Sequence, residues 1–425
     1  MPRKFLARSA RRSVRAAFLL TVSGLGATVA HATDGYFLDG IGARAKGEAG
    51  VAIALPQDAL SIAANPAAAT ELGHRLDAGV EIFIPDRSTK ISGNAAGLNG
   101  SYSGNGANPF VLPEIGYVRP LSDKVSVGIA IYGNGGINTT YKRNPFSSFG
   151  ATGNAGVDLK QIFIAPTLAV KVAPGHGIGV SPLFVLQGFK GTGIQPFALS
   201  SADPAHFTNE GVDWSTGAGV RFGYLGHFGP VNLGAFYQTK VWTGRFDKYA
   251  GLFAEQGGFD VPTSWGGGIA VKANGALTLA ADFKRIEYSS VKSIGTALTP
   301  LFQGNPFGTA NGPGFGWRDI SVYKLGLGYV ASPRLTFRAG YSHSQNPIPA
   351  SQTFLNILAP GVVTDHLTAG ATWTSPSGLE VTGYVLHAPR KTVHGSGSIP
   401  APFGGGEADI SLAETAVGLS FGWKL

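Results

Sequence analysis

The sequence has no cysteine among its 425 residues. Disulfide bonds, thiolate chemistry and zinc–thiolate sites are therefore excluded. Charged residues are scarce as well, at 14% of the chain against about a quarter in ordinary globular proteins. Glycine, by contrast, accounts for 63 residues, about twice its usual share. The composition describes a charge-poor, glycine-rich chain without covalent cross-links.

The N-terminal 32 residues have the features of a cleaved signal peptide. A head with six basic residues precedes a short apolar run, and Ala30-His31-Ala32 fits the small-x-small cleavage rule. We expect cleavage after Ala32 by the general secretory route, because the residues after Arg11-Arg12 do not fit a twin-arginine signal. Removing six basic residues from 33 leaves 27 against 25 acidic ones, so the mature net charge is about +2. Such a balance does not favour nucleic acid as a partner.

Long apolar runs are missing from the rest of the chain. No stretch after the N-terminal segment has eighteen consecutive apolar residues, so the sequence predicts no transmembrane helix. An exported, mildly hydrophobic chain of this kind fits a transmembrane β-barrel. It also fits a secreted β-sandwich or a lectin, and the strand pattern has to distinguish between them.

Alternation with a period of two marks the strands. Val417, Leu419, Phe421 and Trp423 share one parity near the end of the chain, and small or polar residues share the other. This is the lipid-out, lumen-in pattern of a membrane strand, although a sandwich strand has the same period. Fourteen segments are predicted as strands: 76–85, 111–119, 124–132, 158–171, 177–188, 212–225, 230–239, 264–272, 276–286, 318–330, 334–343, 364–374, 379–388 and 411–424.

The connections between these segments alternate strictly in length. Six short turns and seven long loops join the fourteen segments. Short turns at one end and long loops at the other are typical of outer-membrane barrels, and a sandwich would not sort its connections in this way. The sequence therefore predicts an all-β fold, a transmembrane antiparallel β-barrel of about 14 strands over residues 76–425.

Residues 33–75 precede the first predicted strand and are rich in glycine and alanine. A barrel of about fourteen strands has a lumen too wide for wall side chains to fill, so it is either a wet pore or plugged. Tyr36, Phe37 and their apolar neighbours make the segment too apolar for a flexible tail, which is the alternative. Pro66 fixes its own φ and biases Asn65 away from helix. We expect this segment to be a hatch that plugs the lumen.

The same segment carries a family resemblance. It reads DGYFLDGIGARAKGEAGVAIALPQDALSIAANPA, and it resembles the hatch of outer-membrane long-chain fatty-acid and aromatic-hydrocarbon transporters of the FadL/TodX type. Asn65-Pro66-Ala67 matches the hatch motif of that family. Further similar segments are FDKYAGLFAEQGGFDVP, GPGFGWRDISVYKLGLGY and RAGYSHSQNPIPASQTFLNILAPGVVTDHLTAGATW. The chain departs at its end, FGWKL, where such barrels commonly finish on Phe; Leu425 keeps the apolar parity, so we expect membrane insertion to survive.

The resemblance implies a monomer in the bacterial outer membrane that has no cofactor, no metal and no energy-coupled partner. It implies that external loops capture a hydrophobic small molecule, that an internal pocket holds it, and that rearrangement of the hatch releases it sideways through a kinked third strand. Long-chain fatty acid is the default ligand of the family, and an aromatic or aliphatic hydrocarbon is the alternative. The other expected contacts are outer-membrane lipid, lipopolysaccharide and, during biogenesis, the barrel-assembly machinery.

Two predicted loops, 189–211 and 240–263, hold apolar side chains that suit ligand capture. The candidates are Ile194, Phe197, Leu199, Phe207, Trp242, Phe246, Tyr249, Leu252, Phe253 and Phe259. Exposed apolar patches usually bind ligands, and the alternative is that these side chains pack the loops against each other. Tyr36 and Phe37 are candidates for the inner pocket, because the family places the new N-terminus near that site.

A fatty-acid carboxylate requires an arginine or lysine within reach. Arg221, Lys324 and Arg338 lie on predicted strands, but lumen-facing charges in barrels usually form networks along the wall. No clear basic site can be picked out from the sequence, which leaves hydrocarbons open as ligands.

Glycines mark the predicted side opening. Gly128 lies in the third predicted strand, and Gly133, Gly135 and Gly136 lie in it or just after it. Glycine weakens strand pairing and permits a kink or bulge. The alternative is an ordinary glycine-rich entry into a loop.

Two other functions compete with hydrophobic transport. A general diffusion porin has a charged constriction and no apolar plug, which this sequence does not support. A barrel enzyme needs a Ser/His or Asp/His constellation at one rim, and no motif points to one. The nine histidines lack metal-ligand spacing, and no glycine run has the context of a phosphate loop. We therefore predict a passive, ligand-gated transporter of hydrophobic compounds that is not an enzyme.

Overall fold

A computed structural model describes residues 33–425, and the predicted signal peptide lies outside the described residues. Fourteen long strands form one antiparallel sheet that closes on itself, and four strands of two to four residues accompany them. The long strands are β1 (Arg75–Ser92), β2 (Phe110–Pro120), β3 (Val125–Asn138), β4 (Gly156–Ala173), β5 (His176–Thr192), β6 (Asp213–Phe228), β7 (Val231–Gln238), β8 (Ser264–Lys272), β9 (Leu277–Ile286), β10 (Ile320–Ser332), β11 (Leu335–Ser344), β12 (Asp365–Thr374), β13 (Glu380–Val393) and β14 (Glu407–Lys424).

The barrel closes between its first and last long strands. β14 pairs with β1 over its whole length, from Glu407 opposite Ser92 to Lys424 opposite Arg75. Six turns of two to five residues lie at one end of the barrel, and seven loops of 13 to 33 residues lie at the other. The predicted fourteen-stranded barrel and the alternation of its connections are confirmed.

The outer surface of the wall is apolar. On β1, Val80, Ile82 and Ile84 are exposed, whereas Glu81 and Phe83 between them are buried. A period of two therefore sends one face toward the surroundings and the other toward the lumen, as a lipid-embedded barrel requires. Within the described part of the chain, no helix has the length and apolar character needed to cross a membrane.

The segment before β1 lies inside the lumen and is called the hatch, residues 33–74. It contains one short helix, α1 (Ala43–Lys46), and two 3₁₀ turns, Ala59–Ala63 and Pro66–Thr70. Asp58 caps the first of these turns, because its carboxylate accepts a hydrogen bond from the Leu60 amide at 3.1 Å. Most hatch residues are buried, so the segment is a packed plug.

Glycines on the inner wall leave the space that the hatch backbone occupies. A Cβ on Gly223 of β6 would collide with the Asn65 side chain, and one on Gly179 of β5 would collide with the backbone at Pro66. A Cβ on Gly234 of β7 would likewise meet the backbone of the hatch. The high glycine content of the chain thus has a structural reason, since it lets the hatch backbone lie directly on the wall.

Candidate functional site

Two buried ion pairs fix the middle of the hatch to the wall. Arg44 of α1 lies 2.5 Å from Glu380 of β13, and Lys46 lies 2.5 Å from Glu81 of β1. Glu81 also accepts a hydrogen bond from the Tyr384 hydroxyl. Charges this deeply buried need their partners, because an unpaired one keeps the full cost of desolvation.

Arg338, one of the predicted lumen cations, belongs to the same network. Its Nε lies 3.4 Å from the carboxylate of Glu48 in the hatch and donates to Gln57 at 3.0 Å. Its Nη1 donates to Thr372 on the neighbouring strand. Arg338 is therefore a wall-to-hatch contact.

The Asn65-Pro66-Ala67 turn is pinned to the wall at a second place. The Asn65 Oδ1 accepts from the Ala67 amide at 3.0 Å and caps the following 3₁₀ turn. Its Nδ2 donates to the carbonyl of Ile53 at 2.7 Å and to that of Tyr224 on β6 at 2.8 Å. One buried amide thus joins three backbone segments.

An aromatic cluster surrounds Tyr36 near the start of the hatch. The ring centroids of Phe37, Tyr288, Trp317 and Phe259 lie 5.1, 5.4, 6.0 and 6.3 Å from that of Tyr36. The Tyr288 hydroxyl accepts from the Tyr36 amide at 3.2 Å. Burial raises the pKa of Tyr36 and of Tyr288 well above the usual range, so both hydroxyls stay protonated.

The wall is incomplete beside β3. The ladder between β2 and β3 ends at the pair Ile115 and Ile131, although β3 continues to Asn138. The pairing of β3 with β4 also shifts register between Gly133 and Gly135. The third strand thus ends six residues later than predicted, and its last part leaves β2 at a bulge.

The hatch covers this gap. Phe37 pairs with Gly135 as a short antiparallel strand, and the Gly136 amide donates to the Tyr36 carbonyl at 3.0 Å. A Cβ on Gly135 would collide with that same carbonyl. Gly128 lies elsewhere, because it pairs regularly with Val118 on one side and with β4 on the other. The structure therefore brings Gly133, Gly135 and Gly136 to the gap but not Gly128.

A cavity of about 560 Å³, open solvent included, lies beneath the long loops and is called the outer cavity. Five predicted residues line it: Ile194, Phe197, Phe207, Leu252 and Phe253. Sequence reasoning missed Phe146, Phe189, Phe307, Phe315 and Leu358, because they come from segments far apart in the chain. Among the described residues, Ser293 alone brings a polar side chain to its wall.

The other loop candidates are distributed differently. Phe246, Tyr249 and Phe259 are buried behind the cavity, with the Tyr249 ring 4.7 Å from that of Phe189. Leu199 is 91% exposed and Trp242 is 61% exposed, and neither lines the outer cavity. The expected exposed patch is thus mostly an internal cluster, since apolar side chains gain more by burying each other than by facing water.

A row of aromatic rings leads from the outer cavity toward the hatch. Successive centroids lie 4.6 Å apart from Phe189 to Phe253, 4.9 Å from Phe253 to Phe259, and 6.3 Å from Phe259 to Tyr36. The last step, from Tyr36 to Phe37, is 5.1 Å. The row is continuous, and it ends at the residues that cover the gap in the wall.

A second cavity, the inner cavity, lies between the hatch and the wall and has about 600 Å³ of empty space, open solvent included. Its apolar lining includes Phe37, Leu38, Ile41, Ile53 and Phe236. Its charged lining consists of Arg221, Lys284, Lys324, Asp39 and Asp282. This combination of apolar walls with a few charged groups is typical of sites for amphipathic ligands.

The cations of the inner cavity differ in their partners. Lys284 and Lys324 share the hatch carboxylate of Asp34, at 3.2 and 3.6 Å. Arg221 is buried and donates to Gln238, with a longer contact of 3.5 Å to the Tyr132 hydroxyl. In the described part of the chain it forms no ion pair, and its Nε has no hydrogen-bond partner. A buried guanidinium that forms no ion pair among the described residues therefore lies at this cavity.

The two carboxylates that line the inner cavity form no ion pair with Arg221 in the described part of the chain. Asp282 accepts hydrogen bonds from the amides of Ala52 and Ile53 at 2.8 and 3.0 Å. Neither carboxylate oxygen of Asp39 has a hydrogen-bond partner within residues 33–425. Burial raises the pKa of the Asp39 carboxyl above its usual range. No three acidic or histidine side chains of this same range are grouped so that they could hold a metal ion.

Comparison with known proteins gives a family. The model of outer membrane protein transport proteins (OMPP1/FadL/TodX) matches residues 24–206 and 249–386. The long-chain fatty acid transport protein of Salmonella typhi is 22% identical over 377 residues, covering 79% of this chain and 81% of that relative. The protein of the same name from Escherichia coli K12 is 21% identical over 390 residues, with 79% and 82% covered.

Solved structures share the fold. The toluene transporter TodX of P. putida superimposes with a TM-score of 0.70 at 18% identity, covering 91% of this chain and 99% of its own. A FadL homologue of Pseudomonas aeruginosa gives a TM-score of 0.68 at 17% identity, covering 92% and 99%. At these identities the likeness concerns the barrel and its plug.

Proposed function

The chain belongs to the OMPP1/FadL/TodX family of outer membrane transport proteins, and from this premise we propose that it takes up long-chain fatty acids. The family consists of transporters of hydrophobic compounds and not of enzymes, so the barrel is an outer-membrane transporter. The observation that carries the fatty-acid assignment is the buried Arg221 without an ion pair, at a cavity that also has apolar walls.

A fatty acid meets both requirements of this cavity. A buried cation without a counter-charge is costly, and a ligand carboxylate offsets that cost by charge-assisted hydrogen bonds to the guanidinium. The acyl chain then lies against Phe37, Leu38 and Ile53, where burial of apolar surface contributes about 25 cal/mol per Å². A hydrocarbon would use the apolar walls but would leave Arg221 unpaired.

The outer cavity and the aromatic row provide the path to this site. A ligand captured beneath the loops stays out of water as it passes along Phe253, Phe259 and Tyr36. Each step exchanges one apolar contact for another, so no step exposes the acyl chain to water. This path supports stepwise transfer of the ligand from the outer to the inner cavity. Such transfer does not require a water-filled pore.

Release follows from the position of Tyr36 and Phe37. The Tyr36 ring ends the aromatic row, and the backbone at Phe37 covers the gap beside β3. Displacement of this one segment therefore joins the inner cavity to the gap in the wall. We infer that the ligand leaves sideways there, with the Asn65-Pro66-Ala67 turn holding the rest of the hatch on the wall.

Aromatic hydrocarbons are the second candidate. The outer cavity is apolar except for Ser293 in its described lining, and one of the similar folds is that of a toluene transporter. A small hydrocarbon needs nothing more than such a cavity and the row that follows it. A general porin is a weaker alternative, because the packed hatch fills the lumen through which sugars would diffuse.

The test compares binding and uptake of oleate, methyl oleate, toluene and glucose by the purified chain in liposomes. With Arg221→Met we expect oleate affinity to fall by about tenfold to a hundredfold, because a hydrogen bond to a charged group contributes about 1.5–3 kcal/mol. Methyl oleate should be unaffected by the change. Arg119→Met, at an exposed cation of the turn end, is the matched control.

Each other outcome contradicts part of the proposal. Equal binding of oleate and its methyl ester, unchanged by Arg221→Met, would show that the carboxylate is not recognised. Saturable toluene uptake without oleate binding would assign the protein to hydrocarbons. Glucose flux at the rate of oleate uptake would identify a porin and exclude the plugged transporter.

A further inference from the structure

The gap beside β3 is an opening in the wall that is closed at both ends. At its turn end, Ile115 of β2 pairs with Ile131 of β3. At its loop end, the Gly106 amide donates to the Thr140 carbonyl at 2.8 Å. The two rims between these ends are residues 107–114 and 132–139. In the described chain no ladder joins one rim to the other, so different contacts hold them together.

The side chain of Arg87, on the buried inner face of β1, joins the two rims. Its Nη2 donates to the Ala107 carbonyl on one rim at 2.8 Å, and its Nη1 donates to the Asn138 carbonyl on the other rim at 2.7 Å. Nη1 also donates to the Asn138 Oδ1 at 2.9 Å, and Nε donates to the Asn105 Oδ1 at 3.3 Å. The guanidinium lies over the Phe110 ring, 5.6 Å from its centroid. One buried side chain thus bridges the rims where the ladder between β2 and β3 is missing.

A cavity with about 370 Å³ of empty space, open solvent included, lies on the lumen side of the gap and is called the gap cavity. Its apolar lining includes Phe83, Pro85, Trp317 and Leu412. The charged side chains of its described lining are Arg87 and Glu414. Gly35 of the hatch lines the gap cavity, whereas Phe37 lines the inner cavity. The hatch segment 35–37 that covers the gap thus separates the two cavities.

The Arg87 guanidinium is bound by acceptors that an anion can replace. Among the described residues, all of its acceptors are uncharged oxygens. A carboxylate is a stronger acceptor, since charge-assisted hydrogen bonds are roughly twice as strong as neutral ones. The two oxygens of a carboxylate also fit the fork of Nη1 and Nη2, which are the two atoms that hold the rims. A carboxylate that reaches the gap cavity can therefore replace both rim carbonyls at once.

We propose that Arg87 is a latch on the gap and that the carboxylate of the transported ligand releases it. This inference rests on the proposed function, because the carboxylate is that of a fatty acid which leaves Arg221 when the hatch segment 35–37 is displaced. Once the guanidinium binds the ligand, the carbonyls of Ala107 and Asn138 lose their shared donor and the rims can separate. An ester or a hydrocarbon has no anion and leaves the latch closed. Arg87 thus makes release specific for acids, which is a second selection after binding at Arg221.

Glu414 of β14 limits how long the ligand stays at the latch. Its carboxylate lines the same cavity and lies 3.6 Å from the Nε2 of His366 on β12. In the ladder between β14 and β1 it stands opposite Pro85, two residues before Arg87. Because like charges repel, a ligand carboxylate beside Glu414 is held less tightly than one beside an arginine alone. The contact with Arg87 is therefore brief, and the acyl chain moves on through the gap.

The test measures how fast bound oleate and bound methyl oleate pass from the full mature chain into the liposome bilayer, starting from equal occupancy. In the wild type we expect oleate to transfer about tenfold faster, because only oleate can release the latch. With Arg87→Met the rims have no latch, so methyl oleate should reach the rate of oleate. Arg143→Met, at an exposed cation five residues beyond Asn138, is the matched control and should leave the tenfold ratio unchanged.

Hydrogen exchange of residues 104–108 and 136–140 reports the state of the rims directly. In the wild type we expect oleate to speed this exchange by about tenfold and methyl oleate to leave it unchanged. In Arg87→Met the exchange should be fast without any ligand. Arg87→Lys keeps the charge but lacks the planar fork, so its exchange and its methyl oleate rate should lie between those of the wild type and Arg87→Met. This variant provides the test if Arg87→Met does not fold.

Three results would overturn the latch: equal transfer of both ligands by the wild type, slow transfer of methyl oleate by Arg87→Met, or unchanged exchange at the rims of that variant. Equilibrium binding of oleate keeps this proposal separate from the proposed function. It depends on Arg221, so Arg87→Met should change it by less than about twofold. A wild type that does not bind oleate contradicts the fatty-acid assignment and the carboxylate trigger together. A wild type that binds oleate but transfers both ligands equally contradicts the latch alone.

Discussion

The hatch and the long loops both close the lumen, but different forces hold them. The hatch touches the wall through glycines and through buried ion pairs such as Lys46 with Glu81. The loops are held by packed rings such as Phe189 and Phe253, whose centroids are 4.6 Å apart. One end of the barrel is closed by directional contacts between charges, and the other by apolar contacts without strong direction.

This difference suits the two ends to different tasks. Apolar packing depends on the area removed from water, so an apolar ligand can replace one neighbour of a ring with little net change in free energy. A buried ion pair has no such substitute, because separating the two charges leaves each of them desolvated and alone. Loops packed by rings can admit a ligand gradually, whereas a hatch held by ion pairs moves between discrete positions.

The largest expected effect comes from breaking one ion pair of the hatch. Lys46→Met keeps the shape of the side chain but leaves Glu81 buried without its cation. This should make docking of the hatch on the wall less favourable by about 3–5 kcal/mol. Hydrogen exchange of residues 43–48 and the midpoint of thermal unfolding measure this loss. We expect faster exchange in the hatch and unchanged exchange in the loops.

Two further variants test whether charge is the cause. Glu81→Gln added to Lys46→Met removes the unpaired charge and should restore most of the lost stability. Arg390→Met breaks an exposed pair with Asp86 on the outside of the barrel, where the expected cost is below about 1 kcal/mol. An equal loss of stability on breaking the exposed pair and the buried pair would contradict the proposed distinction between the two ends of the barrel.

The second prediction concerns the hatch where it covers the gap beside β3. Gly135→Ala places a Cβ against the Tyr36 carbonyl, so the segment at Tyr36 and Phe37 must leave the strand edge. We expect oleate to pass into the liposome bilayer about tenfold faster and to bind more weakly at equilibrium. Gly383→Ala is the control, because a Cβ there meets no atom closer than 3.9 Å. Unchanged transfer with Gly135→Ala would contradict release at this gap.

Much of the fold could be predicted because it rests on local patterns. Alternation along segments such as 411–424, and the strict order of short and long connections, predicted fourteen strands that the structure contains. The small residues of the hatch predicted close packing inside the lumen. The glycines of the wall that receive it, Gly179 and Gly223, could not be identified, because their partners lie more than a hundred residues away.

The site was less predictable for the same reason. Sequence reasoning placed Arg221, Lys324 and Arg338 in one class of lumen cations, and the structure separates them by their partners. Arg338 pairs with Glu48 and Lys324 with Asp34, whereas Arg221 forms no ion pair within the described residues. Whether a charge is paired depends on contacts across the barrel, which no motif along the chain records.

The third prediction concerns the aromatic row beneath the long loops. Phe253 lies between Phe189 and Phe259 and lines the outer cavity, so Phe253→Ala removes one step of the aromatic row. We expect the rates of oleate and toluene uptake to fall together, by about tenfold, because neither ligand uses a polar group there. Equilibrium binding of oleate at Arg221 should be preserved. A fall in the rate of oleate uptake alone would show that the loops recognise the carboxylate, contrary to the division between the two ends of the barrel.

The smallest expected effect is at Leu199, which the sequence placed among the candidates for ligand capture. Its side chain is 91% exposed and lies outside the lining of the outer cavity, so it contributes little to the packing of the loops. Leu199→Ala should change stability by less than about 0.5 kcal/mol and leave uptake of oleate and toluene unchanged. Phe197→Ala, in the same loop but buried in the cavity wall, is the matched comparison and should slow both. A slower uptake with Leu199→Ala than with Phe197→Ala would mean that capture begins on the exposed surface of the loop, before the ligand reaches the outer cavity.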